Sequence, residues 1–295
     1  MLEEFAAAEN LLEKAGLLDV KLPIPVEAVM EYLSKEGLEL RYYDPRQAPE
    51  MVADAAYGVD EVLVNQDRGA LLFVNASRPL TRQRFSIFHG IGHFILPSHR
   101  GLDYLARGCN AMEPTTKKPY ERQADRFAAA LNMPPTRFRQ DMKTSTPGMK
   151  GIMELAASYS ASVESAAIHY VGLAEIPCSL LRLDSVSKKI SPGARNGPYK
   201  VRYQIRNDQF PFLIRSGQRF EKFPDELVGW KRWQGQYLPE GLVHGESLGL
   251  GQLGQEVSLR SYTCLPDTFG GKLALLFLAK PLTWSFFQRV SEEVV

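Results

Sequence analysis

Two stretches of this sequence decide its fold: residues 84–93, RFSIFHGIGH, and residues 121–134, ERQADRFAAALNMP. In the first, apolar residues recur at helical spacing until Pro97 ends the predicted helix. In the second, a helix begins at Pro119 and ends at the next pair of prolines. The sequence therefore predicts two helices, the first with two histidines and the second with two acidic residues in its first half.

His89 and His93 are four residues apart, so on a helix they project from one face and can bind one metal ion. In zinc peptidases this spacing occurs as H-E-x-x-H, where the glutamate accepts a proton from the metal-bound water. Here the second position is Gly90. A buried, hydrogen-bonded pair of histidines is the alternative interpretation.

A third metal ligand has two candidates. His99 lies at the spacing of a longer zinc-peptidase pattern, but that pattern needs a glycine where this sequence has Leu96. Glu121 is favoured, because Glu121 and Asp125 share one helix face with small alanines that would let two helices approach closely. Asp125 would then orient a histidine ring. The alternative for Glu121 is an exposed residue paired with a neighbouring arginine.

The flanking segments predict a mixed pattern of helices and strands. We expect helices at 2–15 and 25–38, strands at 38–43, 61–65 and 70–75, and a loop at 98–118. This pattern favours an α+β fold for the first half of the chain.

After Glu175 the sequence changes to short strand-like runs separated by turn-rich segments. The strands are predicted at 178–183, 199–205, 257–262 and 273–278. We place a boundary near 174–177, which gives domains at 1–174 and 175–295. Residues 151–173 resemble a helix-turn-helix, but residues 151–172 contain no lysine or arginine. We therefore expect them to pack on the first domain rather than bind DNA phosphates.

The composition is that of a globular protein. Its 295 residues include 35 Lys and Arg against 34 Asp and Glu, a formal net charge of +1, with 44% hydrophobic and 23% charged residues. These values exclude a disordered or collagen-like chain and disfavour a dedicated nucleic-acid binder. Three widely spaced cysteines, an N-terminus unlike a signal peptide and the lack of a long apolar run predict a cytoplasmic protein without a membrane span.

Both deciding stretches resemble segments of the ImmA/IrrE metallopeptidase family. Residues 84–93 resemble its RFTLAHEIGH segment, and residues 121–134 resemble its later E-x-x-A-N/D-x-F-A-x-x-L-L-M-P segment. A strand ending at Asn75 also fits, so the resemblance covers about residues 20–172. Two linked motifs in the right order are more specific than the histidine pair alone.

The resemblance implies a zincin-like metallopeptidase domain with a small β-sheet and helices, followed by a C-terminal GAF-like α/β domain that would sense a small-molecule ligand. It also implies one Zn²⁺ per chain, bound by His89, His93 and Glu121, which would polarise a scissile carbonyl and acidify its water. The implied partner is a helix-turn-helix transcriptional repressor, cleaved in response to DNA damage or another stress.

Within the H-x-x-x-H pattern, position 90 departs from the family. A glutamate there would transfer the proton, and its loss typically lowers the rate by about 10²- to 10⁴-fold. Glycine also weakens a helix interior by about 1 kcal/mol relative to alanine, and the sequence shows no folding advantage in return. Gly90 therefore indicates either an inactivated peptidase or a natural non-catalytic relative.

Two other functions stay open at this point. The chain could be a non-catalytic regulator that binds a repressor or another partner and senses a ligand through residues 175–295. A nucleic-acid-binding module is a weaker alternative, suggested by arginines interleaved with aromatic residues between positions 199 and 220. Alternating strand faces give the same pattern without a function, so we expect no direct nucleic-acid binding.

Overall fold

The computed structural model describes most of the first 185 residues and several strands beyond them. The described residues are 2–50, 59–99, 104–108, 119–145, 149–185, 199–210, 213–217, 219–220, 230–233, 236–244, 258–264 and 272–278. The chain divides into two compact units, Met1–Thr144 with Glu154–Ala166, and Ser145–Met153 with Ala167–Val295. The boundary near 174–177 stays a prediction.

The first part of the chain combines helices with a small, mostly antiparallel sheet, as expected for an α+β fold. Its elements are α1 (Glu3–Lys14), α2 (Val26–Ser34), β1 (Leu38–Tyr43), β2 (Val59–Gln66), β3 (Gly69–Asn75), α3 (Leu80–Ile95), β4 (Tyr104–Gly108), α4 (Pro119–Asn132) and α5 (Pro135–Thr144). The predicted helices and strands up to α4 are confirmed, with shifted ends. The segment predicted as a loop at 98–118 contains β4.

Strands β1 to β4 form a sheet of order β1-β3-β2-β4, in which β1 and β3 are parallel and the other pairs are antiparallel. Helix α2 ends earlier than predicted because Gly37 turns the chain with a φ of 92°. Gly69 begins β3 with a φ of 126°, and a Cβ there would lie 2.1 Å from the Gly37 carbonyl oxygen. The absence of a side chain at Gly69 therefore allows the turn between β2 and β3 to pack against the backbone of Gly37, just before β1.

The two faces of this sheet have different environments. Val62 and Phe73 pack with Leu71 and Tyr43 in an apolar cluster on one face. The alternate positions lie on the opposite face, where Leu63 is paired with Leu72 and Glu61 with Val74. This second face packs against α3, and it carries the buried carboxylate of Glu61.

Arg84 joins three parts of the first unit. Its Nε donates a hydrogen bond to Asn132 Oδ1 at 2.6 Å, and its Nη2 donates to the Ile24 carbonyl at 2.5 Å. Its guanidinium carbon lies 4.8 Å from the centre of the Phe88 ring. Helices α3 and α4 and the segment before α2 are thereby held together by one side chain.

Helices α3 and α4 approach closely at Gly92. A Cβ at this position would lie 3.3 Å from the Ala124 Cα and 3.1 Å from Phe127 Cδ1. Ala124 and Ala128 are fully buried. The prediction that small residues on α4 allow close approach of two helices is confirmed, and glycine on α3 contributes the other half of the contact.

The second part of the chain begins with two helices and continues as a sheet. Its elements are α6 (Met149–Ser158), α7 (Val163–Leu173), β5 (Cys178–Ser185), β6 (Tyr199–Arg206), β7 (Arg219–Phe220), β8 (Trp230–Trp233), β9 (Gln236–His244), β10 (Ser258–Cys264) and β11 (Lys272–Leu278). Among the described residues, seven strands pair antiparallel in the order β7-β6-β5-β11-β10-β9-β8. The four predicted strands are confirmed, whereas the hairpin of β8 and β9 was not predicted.

Within the described ranges, no helix has both the length and the apolar character needed to cross a membrane.

The contacts of Arg84 give a test of the fold. Arg84→Met keeps much of the side-chain length but removes the charged donors, so we expect the free energy of unfolding to fall by about 2–3 kcal/mol. Chemical denaturation measures this change. The control is Arg41→Met, because Arg41 is 57% exposed and pairs with Glu39 at the surface; it should change stability by less than about 0.5 kcal/mol. Equal losses of stability in the two variants would contradict the stabilising role given to the Arg84 contacts.

Candidate metal centre

The structure brings together the three residues predicted to bind a metal. The Nε2 of His89 lies 3.4 Å from Glu121 Oε2, and the Nε2 of His93 lies 3.6 Å from Glu121 Oε1. One donor atom from each residue can be chosen so that all three lie within 4.8 Å of one another. The two imidazoles are buried, and the Glu121 side chain is 21% exposed. The donors therefore face one another at the contact between α3 and α4.

These distances fit a zinc ion. Ligand atoms that are 2.0–2.1 Å from a tetrahedral zinc lie about 3.4 Å from one another, close to the separations found between the imidazole nitrogens and the Glu121 carboxylate. Two histidines and one glutamate are also a ligand set of catalytic zinc sites. The chemistry and the spacing of the donors thus agree.

Helix packing explains why the donors converge. His89 and His93 lie one helical turn apart on α3, and their rings stand at 76° to each other with centroids 4.7 Å apart. Glu121 lies in the first turn of α4. The close approach at Gly92 and Ala124 lets this short carboxylate reach both imidazoles.

His89 is contacted by carboxylates on both sides of its ring. Glu61 Oε1 on β2 lies 2.5 Å from Nδ1, and Asp125 Oδ1 lies 3.6 Å from Nε2. The structure therefore places Asp125 on the donor side of the ring. The position from which a carboxylate orients a metal-binding histidine is taken by Glu61, which the sequence analysis missed.

The signal for Glu61 in the sequence is weak. The strand VDEVLVNQ of β2 contains two adjacent acidic residues, Asp60 and Glu61, and both are buried. Asp60 forms ion pairs with Arg78 and Arg82 at 3.0 and 2.5 Å. An acidic residue on a strand face predicted to be buried could have marked Glu61, but its histidine partner depends on how α3 lies across the sheet.

His99, the alternative third ligand, lies beside the three donors. It ends a short 3-10 helix at Pro97–His99, and its Nε2 is 3.2 Å from Gln123 Oε1. Its ring centroid is 4.7 Å from that of His93 and 6.2 Å from that of Tyr120. Burial lowers the pKa of His99, against the opposing effect of its hydrogen bond with Gln123. His99 and Tyr120 form an aromatic wall next to the site.

Gly90 packs directly against the sheet. A Cβ at this position would lie 2.3 Å from Leu72 Cδ1 and 3.2 Å from its Cγ, and Leu72 is fully buried. The sequence shows no folding advantage for this glycine, but the structure shows a packing reason, because a side chain at 90 would displace the end of the buried Leu72 side chain. The absence of a side chain at 90 lets α3 lie close to β3 while the Leu72 methyl groups fill the space.

The site carries an excess of acidic groups. Three carboxylates, those of Glu61, Glu121 and Asp125, lie within 3.6 Å of the His89 ring nitrogens. Buried negative charge is costly unless a cation or hydrogen-bond donors compensate it. A divalent cation held by His89, His93 and Glu121 is compatible with this concentration of negative charge.

Comparison with known proteins agrees with the geometry. Residues 34–169 match the Peptidase M78 family model, described as the IrrE N-terminal-like domain. Among solved structures, a Mycobacterium tuberculosis transcriptional regulator is similar over 94% of this chain and 77% of its own, with a TM-score of 0.50 and 13% sequence identity. At that identity the similarity shows a shared fold. No curated protein sequence matches the chain.

The contact between Gly90 and Leu72 gives a second prediction. Gly90→Ala should lower the free energy of unfolding by about 1–3 kcal/mol, because the added methyl group overpacks a buried contact. Gly172 on α7 is the matched control, since a Cβ there would meet nothing within 4 Å. Gly172→Ala should stabilise the protein by up to about 1 kcal/mol. Chemical denaturation of both variants makes the comparison.

A double-mutant cycle extends this test. Leu72→Ala is itself destabilising, but in that background Gly90→Ala should lose its penalty because the methyl groups it meets are gone. If Gly90→Ala stabilised the otherwise unchanged protein as much as Gly172→Ala does, the proposed packing constraint at position 90 would be wrong.

Proposed function

We propose that this chain is a regulator built on a metallopeptidase domain, because residues 34–169 match the IrrE N-terminal-like family model. It binds one zinc ion through His89, His93 and Glu121 and recognises a protein partner, a helix-turn-helix transcriptional repressor. It acts in the cytoplasm as part of a stress or DNA-damage response. The observation that carries the proposal is the convergence of the three donors, with separations of 3.4 and 3.6 Å.

The residues of the site divide the chemistry among them. When bound, zinc would act as a Lewis acid towards a scissile carbonyl and acidify water. His89, His93 and Glu121 would hold it, with Asp125 beside the donor nitrogen of His89. Position 90, where a peptidase of this type carries its proton acceptor, has no side chain. Peptide hydrolysis by the chain as it stands is therefore expected to be slower by about 10²- to 10⁴-fold.

Packing at position 90 favours the regulator over an enzyme that has merely lost one residue. The Leu72 side chain fills the space next to Gly90, so a glutamate cannot enter without moving a buried leucine. This arrangement supports a domain that retains the peptidase fold for binding a partner. The second candidate function is a repressor-cleaving endopeptidase inactivated at Gly90.

The second unit is proposed to be a GAF-like domain that binds a small molecule. The antiparallel sheet formed by β5 to β11 supports this assignment, because a broad sheet can provide the floor of a ligand pocket. A thermal-shift screen of the full chain against small metabolites tests it. A reproducible stabilisation that a Glu121→Gln variant retains would place the ligand away from the metal, and its absence across a broad screen would count against a sensor.

Metal content is the first prediction of the proposed function. Elemental mass spectrometry of the purified, untagged protein should find about one zinc per chain, and Glu121→Gln should lower this occupancy strongly because one donor is lost. Glu31→Gln, at an exposed position of α2, is the matched control and should leave it unchanged. A wild-type protein that stays empty when zinc is added would contradict the metal site.

Cleavage separates the two candidate functions. The full chain is mixed with candidate helix-turn-helix repressors, beginning with any that are encoded next to its gene, and mass spectrometry detects fragments. The regulator should bind one of these repressors without cutting it, and a chelator should leave binding intact. A Gly90→Glu, Leu72→Ala double variant tests the peptidase, with Leu72→Ala alone as control. Specific fragments from the double variant would establish an inactivated peptidase, and lack of binding by the unchanged protein would refute the regulator.

A further inference from the structure

Glu61 is one of two adjacent buried acids in β2, and the residues that follow it in the strand are apolar. It is 2% exposed, and its strand also contributes the buried residues Val62 and Leu63. Across the sheet it is paired with Val74 on β3, which is fully buried. Removing a carboxylate from water to such a position is costly unless a specific partner compensates it.

One partner of Glu61 is the ring of His89. Glu61 Oε1 lies 2.5 Å from Nδ1, and the imidazole is fully buried. A neutral histidine carries its proton on one nitrogen, and a carboxylate beside Nδ1 holds the proton there. The Nε2 lone pair then points towards Glu121, 3.4 Å away, which is the direction a metal ligand requires.

We infer that Glu61 is the positioning residue of the metal centre, an inference that rests on the metal binding of the proposed function. By accepting the Nδ1 proton of His89, Glu61 fixes the orientation and tautomer of the ring and increases the donor strength of Nε2. A carboxylate hydrogen-bonded to a metal-binding histidine typically improves metal affinity by about 10- to 100-fold.

The neighbouring Asp60 shows what a purely structural buried acid does in this strand. It is also buried, but it pairs with Arg78 and Arg82, which fixes the start of α3 against β2. Glu61, by contrast, pairs with an imidazole whose other nitrogen faces two more carboxylates, Glu121 and Asp125. Of these two pairs of contacts, the contact between Glu61 and His89 is the one that adjoins the proposed metal site.

Zinc titration of the full chain tests this role. In isothermal titration with zinc chloride, Glu61→Met should weaken binding by about 10- to 100-fold, because it removes the acceptor for the Nδ1 proton. Glu61→Gln keeps a carbonyl acceptor and should recover part of the affinity. Asp60→Asn is the matched control, and it should lower stability while leaving zinc affinity within about twofold. Equal losses of affinity in Asp60→Asn and Glu61→Met would overturn the inference.

A second measurement works without metal. In the metal-free protein with ¹⁵N-labelled histidine, long-range ¹H–¹⁵N spectra should show a proton on His89 Nδ1, and Glu61→Met should remove it. An unchanged His89 signal in this variant would refute the role of Glu61. If the unchanged protein fails to bind zinc but shows the expected Nδ1 proton, the proposed function fails and the contact of Glu61 with His89 is upheld.

Discussion

Helix α3 must lie close to the sheet on one side and to α4 on the other, and the site depends on this double contact. Gly90 provides the approach to Leu72 on β3, and Gly92 provides the approach to Ala124 on α4. His89, one residue before Gly90, can therefore reach a carboxylate of β2 with one ring nitrogen and a carboxylate of α4 with the other. A wider separation on either side would leave a buried imidazole without one of its two partners.

The same constraint connects structure with function. The glycine that lets α3 lie close to β3 also stands where the H-E-x-x-H pattern of zinc peptidases has its proton-accepting glutamate. The residues that could hold a metal are His89, His93 and Glu121, so the proposed metal binding does not require a side chain at position 90.

Local patterns in the sequence were enough to predict much of the fold. Helical spacing and flanking prolines predicted α3 and α4, and the spacing of His89 and His93 predicted two donors on one face. The β8–β9 hairpin was missed because β9 contains Pro239 and Gly241, which usually interrupt strands. Pro239 pairs with Trp230 of β8, and the described ladder with β10 begins one residue later, so the missing amide proton is tolerated there.

Two features of the site could not be predicted from local patterns. The role of Glu61 depends on the register of β2 and on how α3 crosses it, both of which are set by contacts between residues far apart in the chain. The packing reason for Gly90 depends likewise on Leu72, which lies opposite only once the sheet has formed. The candidate donors on α3 and α4 can be recognised from local patterns in the sequence. Glu61 and Leu72, which support them, come from the sheet.

The candidate donors come from two separate helices, and this has a consequence for the stability of the protein. His89 and Glu121 belong to helices joined by a long connection, so an ion held between them closes a large loop, and its binding energy adds to the energy of folding. At a free ion concentration one hundred times the dissociation constant, that contribution is about 2.7 kcal/mol. For the proposed zinc site, this linkage means that the free energy of unfolding of the chain would depend on the free zinc concentration.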